Sequence, residues 1–325
     1  MLLLLRAEAS PASLLERCKQ LHIEAHLHRI GNRWAIQIPT NGHQTEALFR
    51  YEEVERILSD EIPYPLVQRW EGSVQIGEWR RGSSLLWIAG PCSVESRAQL
   101  VEVAYALKEM GVHVLRGGAY KARTSPYSFQ GLGEEAIEWL LEVKALTALP
   151  LCVEILSERH LPLYDEIDLL QIGARNMDNY QLLQAVALQR KPILLKRNPQ
   201  ATVQEWLLAA EYLLLYGAPW VLLCERGIRS FERSLRYTLD VGAIPVAQRE
   251  SRLPIIADPS HAAGDWRYVE PLALAAIAAG AEGLIVEVHP NPSQARSDAA
   301  QQLTIEQFKQ LVQKATALCA ALSRS

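Results

Sequence analysis

Three cations, Arg116, Lys121 and Arg123, fall within eight positions, and two hydroxyl side chains, Thr124 and Ser125, follow at once. An apolar run, Val112-His113-Val114-Leu115, leads into them, and Gly117 and Gly118 stand between. A short apolar run reads as a buried strand, and glycines let backbone come close to a bound molecule. A buried strand that discharges into cations and hydroxyls is suited to a small, highly anionic ligand.

The arrangement recurs. Apolar segments fall at 85–89, 112–115, 151–155, 169–172, 193–195, 221–224, 254–257 and 283–288. After them stand, in order, Gly90-Pro91-Cys92-Ser93, the Arg116–Arg123 group, Glu154, Gly173-Ala174-Arg175-Asn176, Lys196-Arg197, Glu225-Arg226, Asp258-Pro259-Ser260-His261, and Glu287-Val288-His289 with Asp298 beyond. One charged strand end is ordinary. Cations behind the second, fourth, fifth and sixth segments repel one another unless an anion binds, so the implied ligand carries phosphate and carboxylate. A second set, Cys92, His261, Glu287 and Asp298, comes from the first, seventh and eighth segments. A thiolate, an imidazole and two carboxylates are a mixed ligand set for a divalent metal, compatible with Mn, Fe, Co, Zn or Cu. Taken singly, a cysteine or a histidine at such a place is more often core; the four together favour a metal. Asp258 and His289 compete for the same roles, Asp258 also as a group that orients His261 or the substrate.

The elements that must hold these residues follow from periodicity. Amphipathic stretches at 97–110, 134–146, 180–189, 203–216 and 272–279 alternate with the apolar segments. Eight strand-then-helix units over about 240 residues predict an α/β protein, a (β/α)8 TIM barrel over 85–325 with its chemistry at the C-terminal mouth. An open doubly wound sheet is the alternative, but no GxGxxG opens the first unit. Residues 1–70 read differently, as strand 2–5, helix 13–21, strands 22–30 and 33–38 around a Gly31-Asn32 turn, helix 49–58 and strand 62–70. That order predicts a small ferredoxin-like α+β domain. Residues 71–84 read as a connector.

Composition narrows the function classes. The 325 residues are 49% hydrophobic and 22% charged, with a formal net charge of −4. This balance gives no general nucleic-acid surface. No stretch reaches the ~18 apolar residues of a membrane span, and MLLLLR is too short for a secretory core. The five cysteines are scattered, odd in number and without a CxxC pair, which predicts reduced thiols and a cytoplasmic protein.

The segments IAGPCSVES, LRGGAYKARTSPYSFQGLG, QIGARNMDN, LLKRNPQAT, CERGIRSFE, DPSHAAGD and EGLIVEVHPNPSQARSDAAQQL, in this order, resemble 3-deoxy-D-arabino-heptulosonate 7-phosphate (DAHP) synthases of type I. The resemblance covers about residues 85 to 320. The N-terminal region is similar in pattern to the ferredoxin-like regulatory extension of one subgroup. The resemblance implies condensation of phosphoenolpyruvate with erythrose 4-phosphate, the first step of the shikimate pathway to aromatic amino acids. It places metal ligands on Cys92, His261, Glu287 and Asp298. It places the phosphoenolpyruvate pocket on Arg116, Lys121, Glu154, Ala174, Arg175, Lys196 and Arg226, and the erythrose 4-phosphate loop on Lys121, Ala122, Arg123, Thr124 and Ser125. Lys196, with Lys121, Cys92 and His261, is then expected to take part in the chemistry, Lys196 as a proton donor. Three positions depart from the family pattern: Ala122 where proline is usual, Asn198 where glycine is usual, and Asp178 where an amide is common. A homo-oligomer, tetramer or dimer, and feedback control by tyrosine or phenylalanine are implied with it. Two alternatives share the barrel. One is 3-deoxy-D-manno-octulosonate 8-phosphate synthase, which usually carries Asn before the loop arginine where Ala122 stands here. The other is a non-catalytic metabolite sensor.

Overall fold

Eight parallel strands close on themselves in the computed structural model, which describes residues 1–30, 33–39, 48, 50–58 and 62–322. It divides into two units, Met1–Arg69 and Trp70–Ser325.

In the first unit, β1 (Leu2–Leu5), β2 (His26–Ile30), β3 (Arg33–Gln37) and β4 (Val54–Leu58) form one antiparallel sheet of order β2-β3-β1-β4, and α1 (Ala12–Gln20) runs between β1 and β2. β3 lies between the two strands that α1 joins, a split βαβ arrangement. Leu3, Leu5, Leu14, Cys18 and Ile36 meet in its core. Two expectations fail here. Residues 54–58 are β4, not the end of a helix, and 65–68 (α2, Pro65–Gln68) are a short helix, not a strand. Val54, Ile57 and Leu58 carry helix-like spacing, but pairing with the apolar β1 decides their conformation, with a register shift between Leu4 and Leu5. Pro65 opens α2 because its fixed φ suits a first turn. The Gly31-Asn32 turn lies outside the described residues.

The second unit begins with a hairpin, β5 (Gln75–Ile76) and β6 (Trp79–Arg80). The predicted connector is thus part of the barrel unit. Val74, Ile76 and Trp79 pack against Leu86, Ile88, Val114, Cys152, Leu169, Leu194, Leu222, Cys224, Ile256 and Ile285 and seal the barrel's floor. The barrel strands are β7 (Leu86–Gly90), β8 (Val114–Arg116), β9 (Leu151–Glu154), β10 (Leu169–Ile172), β11 (Ile193–Lys196), β12 (Val221–Glu225), β13 (Ile255–Ala257) and β14 (Gly283–Glu287), closed by the β14–β7 pairing. The helices are α3 (Arg97–Glu109), α4 (Glu134–Thr147), α5 (Tyr180–Ala187), α6 (Val203–Tyr216), α7 (Ala243–Glu250), α8 (Pro259–Ala263), α9 (Trp266–Ala278) and α10 (Ile305–Ala321). Helix starts are written in the sequence: Ser96, Asn179 and Asp265 accept from backbone N–H groups, and Thr202 and Thr304 form capping boxes. After β9 a 3-10 turn, Glu158–Tyr164, replaces the α-helix, with Pro162 inside it. No described helix is long and apolar enough to cross a membrane.

Candidate active site

The strands bring their terminal side chains into one mouth. Arg116 ends β8, Glu154 ends β9, Lys196 ends β11, Glu225 ends β12 and Glu287 ends β14, while Asp258 caps α8 directly after β13. Close approach is built in after β10: a Cβ on Gly173 would lie 1.8 Å from Glu154 Oε1, so only glycine leaves that carboxylate its place.

Cys92, Glu287 and Asp298 each offer an atom within 4.8 Å of the others. Cys92 Sγ is 3.4 Å from Asp298 Oδ2. His261 joins them, its Nε2 being 3.4 Å from Glu287 Oε1 and 3.9 Å from Asp298 Oδ2. On its other side, His261 Nδ1 is 2.7 Å from Asp258 Oδ2, and its backbone N–H donates to Asp258 Oδ1 at 2.9 Å. A carboxylate at Nδ1 leaves the Nε2 lone pair for a cation. Asp298 sits at φ 45°, a left-handed conformation that aspartate tolerates better than most residues.

Burial and charge act against each other at these groups. Burial, with Glu287 beside it, pushes the Cys92 thiol up to about 12 despite Lys121. Burial opposes ionisation of Asp258, but His261, Lys196 and Arg116 outweigh it and hold the carboxyl well below its usual range. Glu287 is likewise lowered, burial being outweighed by His261 and Arg116, and Asp298 falls to about 2 against the same opposition. Burial lowers His261, so its ring favours the neutral form. Lys121 is raised, because Cys92, Glu154 and Glu287 outweigh burial.

The donor set fits a divalent cation. Glu287 is fully buried, yet its Oε1 accepts no hydrogen bond among the described residues and has only the ion pair with Arg116 Nη2, at 3.2 Å, beside the His261 ring. Cation binding would displace the Cys92 proton, since the thiolate is the ligand form.

Above this group opens a cavity of about 310 Å³. Arg116, Lys121, Arg123, Glu154, Ala174, Arg175, Lys196, Arg226, His261 and Asp298 line it, all of them expected from the sequence. Cys92 and Glu287 lie buried beyond its lining. Thr124 and Ser125 do not line it; both are exposed, and Ser125 accepts from the Tyr127 N–H within its own loop. Several donors wait unused. Among the described residues nothing hydrogen-bonds Arg116 Nε and Nη1, Arg123 Nη2 or Arg226 Nη1, although all are buried. Such atoms are costly to leave unpaired, and an anion would satisfy them.

Other groups are spent on the scaffold. Arg197 is bound to Glu225 at 2.8 Å and Asp240 at 3.0 Å. Asp258, left open as a ligand, holds both Lys196 Nζ, at 2.5 Å, and His261. His289 accepts from the Asn291 N–H through Nδ1, and its Nε2 lies 3.6 Å from Glu95, which places it in support. The departures are accommodated. Asn198 Nδ2 donates to Asp178 at 2.6 Å, and the Ala122 carbonyl accepts from Arg175 Nη1 at 2.9 Å. The sequence reading gave no role to Gln171, Gln200, Arg229, Arg236 and Tyr237, which also line the cavity. Gln171 alternates inward on β10 and was open to discovery by strand period; the others lie in loops with no periodic signal.

A closed (β/α)8 barrel with eight cationic side chains around one cavity defines the chain as a barrel enzyme acting on phosphorylated small molecules. Comparison with known proteins narrows this. The family described as DAHP synthetase I matches residues 66–321. The chain is 49% identical over 283 residues to phospho-2-dehydro-3-deoxyheptonate aldolase of Thermotoga maritima, across 85% of this chain and 83% of that protein. It is 30% identical over 261 residues to 2-dehydro-3-deoxyphosphooctonate aldolase of Rhodopseudomonas palustris, across 74% of this chain and 90% of that one. The crystal structure of the Thermotoga maritima DAHP synthase superposes with a TM-score of 0.79 at 41% identity, covering 100% of this chain and 98% of that one. The chain belongs to the DAHP synthetase I family.

Proposed function

We infer that the protein condenses phosphoenolpyruvate with erythrose 4-phosphate to give 3-deoxy-D-arabino-heptulosonate 7-phosphate and inorganic phosphate. The observation that carries this reading is the set of unpaired buried guanidinium donors on Arg116, Arg123 and Arg226 around one cavity that also holds Lys196 and His261.

Carbon 3 of phosphoenolpyruvate attacks the aldehyde carbon of erythrose 4-phosphate. Positive charge develops at carbon 2, water adds there, and the hemiketal phosphate loses phosphate by C–O cleavage. Arg175 and Arg226 hold the phosphoenolpyruvate phosphate, with forks suited to bidentate contact. Arg116 and Lys121 neutralise its remaining charge. Arg123 clamps the phosphate of the second substrate, with Thr124 and Ser125 joining when the loop is engaged. Lys196, held by Asp258, gives its proton to the alkoxide that forms on the old aldehyde oxygen. Glu154 orients the water. Cys92, His261, Glu287 and Asp298 hold a divalent metal, which when bound supplies Lewis-acid polarisation of the aldehyde. The N-terminal unit binds tyrosine or phenylalanine as a feedback effector, the chain assembles as a tetramer or dimer, and the enzyme works in the cytoplasm.

The deciding assay is phosphate release from phosphoenolpyruvate with erythrose 4-phosphate, and in parallel with arabinose 5-phosphate, each with chelator and with added Mn²⁺. Metal-dependent release with the four-carbon sugar alone is expected. Release with the five-carbon sugar alone would make the protein an octulosonate synthase, and release indifferent to thorough chelation would remove the metal.

A further inference from the structure

Arg236 lies between β12 and α7, and its backbone N–H donates to the Ala263 carbonyl at 3.1 Å, while that of Tyr237 donates to Ala262 at 2.9 Å. The segment is thereby laid against α8, the turn that carries His261. Gly264 makes this contact possible. It sits at φ +70°, and a Cβ there would come 2.5 Å from Arg236 Cβ. The side chain then reaches the other two elements of the metal group. Its Nη1 donates to Gln301 Oε1 at 2.9 Å, and Gln301 Nε2 donates to Glu287 Oε2 at 2.6 Å. The same Nη1 lies 3.7 Å from Asp298 Oδ1.

The direction of this chain follows from the chemistry of its members. A carboxylate only accepts and a guanidinium only donates, so a glutamine amide can bridge the two in one orientation alone. Guanidinium only donates, so Arg236 must face the Gln301 oxygen, and the Gln301 nitrogen is left for Glu287. That donation occupies Glu287 Oε2, while Oε1, which accepts no hydrogen bond among the described residues, faces Arg116 Nη2 at 3.2 Å and His261 Nε2 at 3.4 Å. At Asp298, Arg236 and Arg123 both stand beside Oδ1, at 3.7 and 3.6 Å, and Oδ2 is left toward Cys92. Arg236 thus bears on one oxygen of each carboxylate, on Glu287 Oε2 through Gln301 and, together with Arg123, on Asp298 Oδ1.

We propose that Arg236 is a positioning residue that sets the ligand oxygens of Glu287, through Gln301, and of Asp298, directly, for the divalent metal. The proposal rests on the metal reading above. Outer partners of metal ligands typically contribute ~10–100-fold in metal affinity.

The test uses the full chain freed of metal and titrated with Co²⁺, followed by the thiolate-to-cobalt absorption and by competition with a chelator. Arg236→Met and Gln301→Met are each expected to weaken Co²⁺ by ~10–100-fold and to alter the absorption band. The double variant should be no weaker than the weaker single one, because both cut one line. Arg236→Lys, which keeps a donor for Gln301, should restore most of the affinity and controls for folding at the buried Gln301. If Arg236 serves only as a phosphate contact, Arg236→Met will raise the KM for erythrose 4-phosphate while Co²⁺ affinity and spectrum stay at the parent's values, and the proposal falls. Additive losses in the double variant would overturn the route through Gln301. A parent protein with no thiolate–cobalt band would overturn the metal reading, and this proposal with it.

Discussion

The two ends of the barrel are made by the same eight strands and are held by opposite means. At the floor, Leu86, Ile88, Leu194, Leu222 and Ile285 meet a plug of Val74, Ile76 and Trp79. At the mouth, a few residues further along the same strands, stand Arg116, Lys196, Glu225 and Glu287, all buried. Floor contacts are non-directional and tolerate exchange among residues of similar volume. Mouth contacts are paired charges, worth little as net stability but severe to break singly. The floor therefore carries stability, and the mouth spends rigidity on holding unpaired donors in place.

This division can be broken most sharply at the floor. Trp79→Ala removes the largest side chain of the plug and should cost about 3–5 kcal/mol, read as a fall in urea midpoint, with turnover of the folded enzyme retained. A lost turnover at unchanged stability would erase the division. At the mouth, Lys196→Ala should strike turnover, lowering phosphate release by the folded variant by about 10²-fold or more, and the urea midpoint should fall as well because buried Asp258 loses its lysine. Near-normal turnover in that variant would remove Lys196 as the proton donor.

Asp258→Asn sharpens the comparison, since Asp258 serves both Lys196 and the His261 ring. Metal affinity by chelator competition should fall by ~10–100-fold. The smallest effect belongs to the floor and depends on pH. His113 lies 6.4 Å from Trp79 between ring centroids and accepts the Trp87 N–H on Nδ1. Burial lowers it from 6.5, so the unfolded chain binds its proton more readily. Its contribution to stability is whole above 6.5 and is lost as pH falls through the depressed folded value. His113→Gln should lessen the drop in urea midpoint between about pH 7.5 and 5.5. An unchanged drop would place the titrating group elsewhere.

Much of this was legible in the chain. All eight barrel strands fall within two residues of the apolar segments, because parallel strands buried on both faces are written as continuous apolar runs. Cys92, Lys196, His261 and Glu287 were legible because each directly follows or ends such a run. Arg236 and Gln301 were not. Arg236 sits in a loop and Gln301 at the end of a short 3-10 turn, where a polar residue reads as solvated, and only folding brings them to Glu287. The 71–84 hairpin was misread for a similar reason: its glycines and charges mask three apolar residues that matter only once a floor exists.

The sequence by itself determined the strand and helix order of the barrel, and with it which residue types crowd one mouth, since both follow from local periodicity and from the rule that strand ends share a face. Tertiary structure alone decided that β4 is a strand, that Asp258, open in the sequence as a group orienting His261, also binds Lys196, and that Gln301 stands between Arg236 and Glu287. The first two of those outcomes, and the Arg236–Gln301 contact, depend on partners 49 or more residues away, and the Gln301–Glu287 contact on the distance between side-chain atoms; no local pattern encodes either.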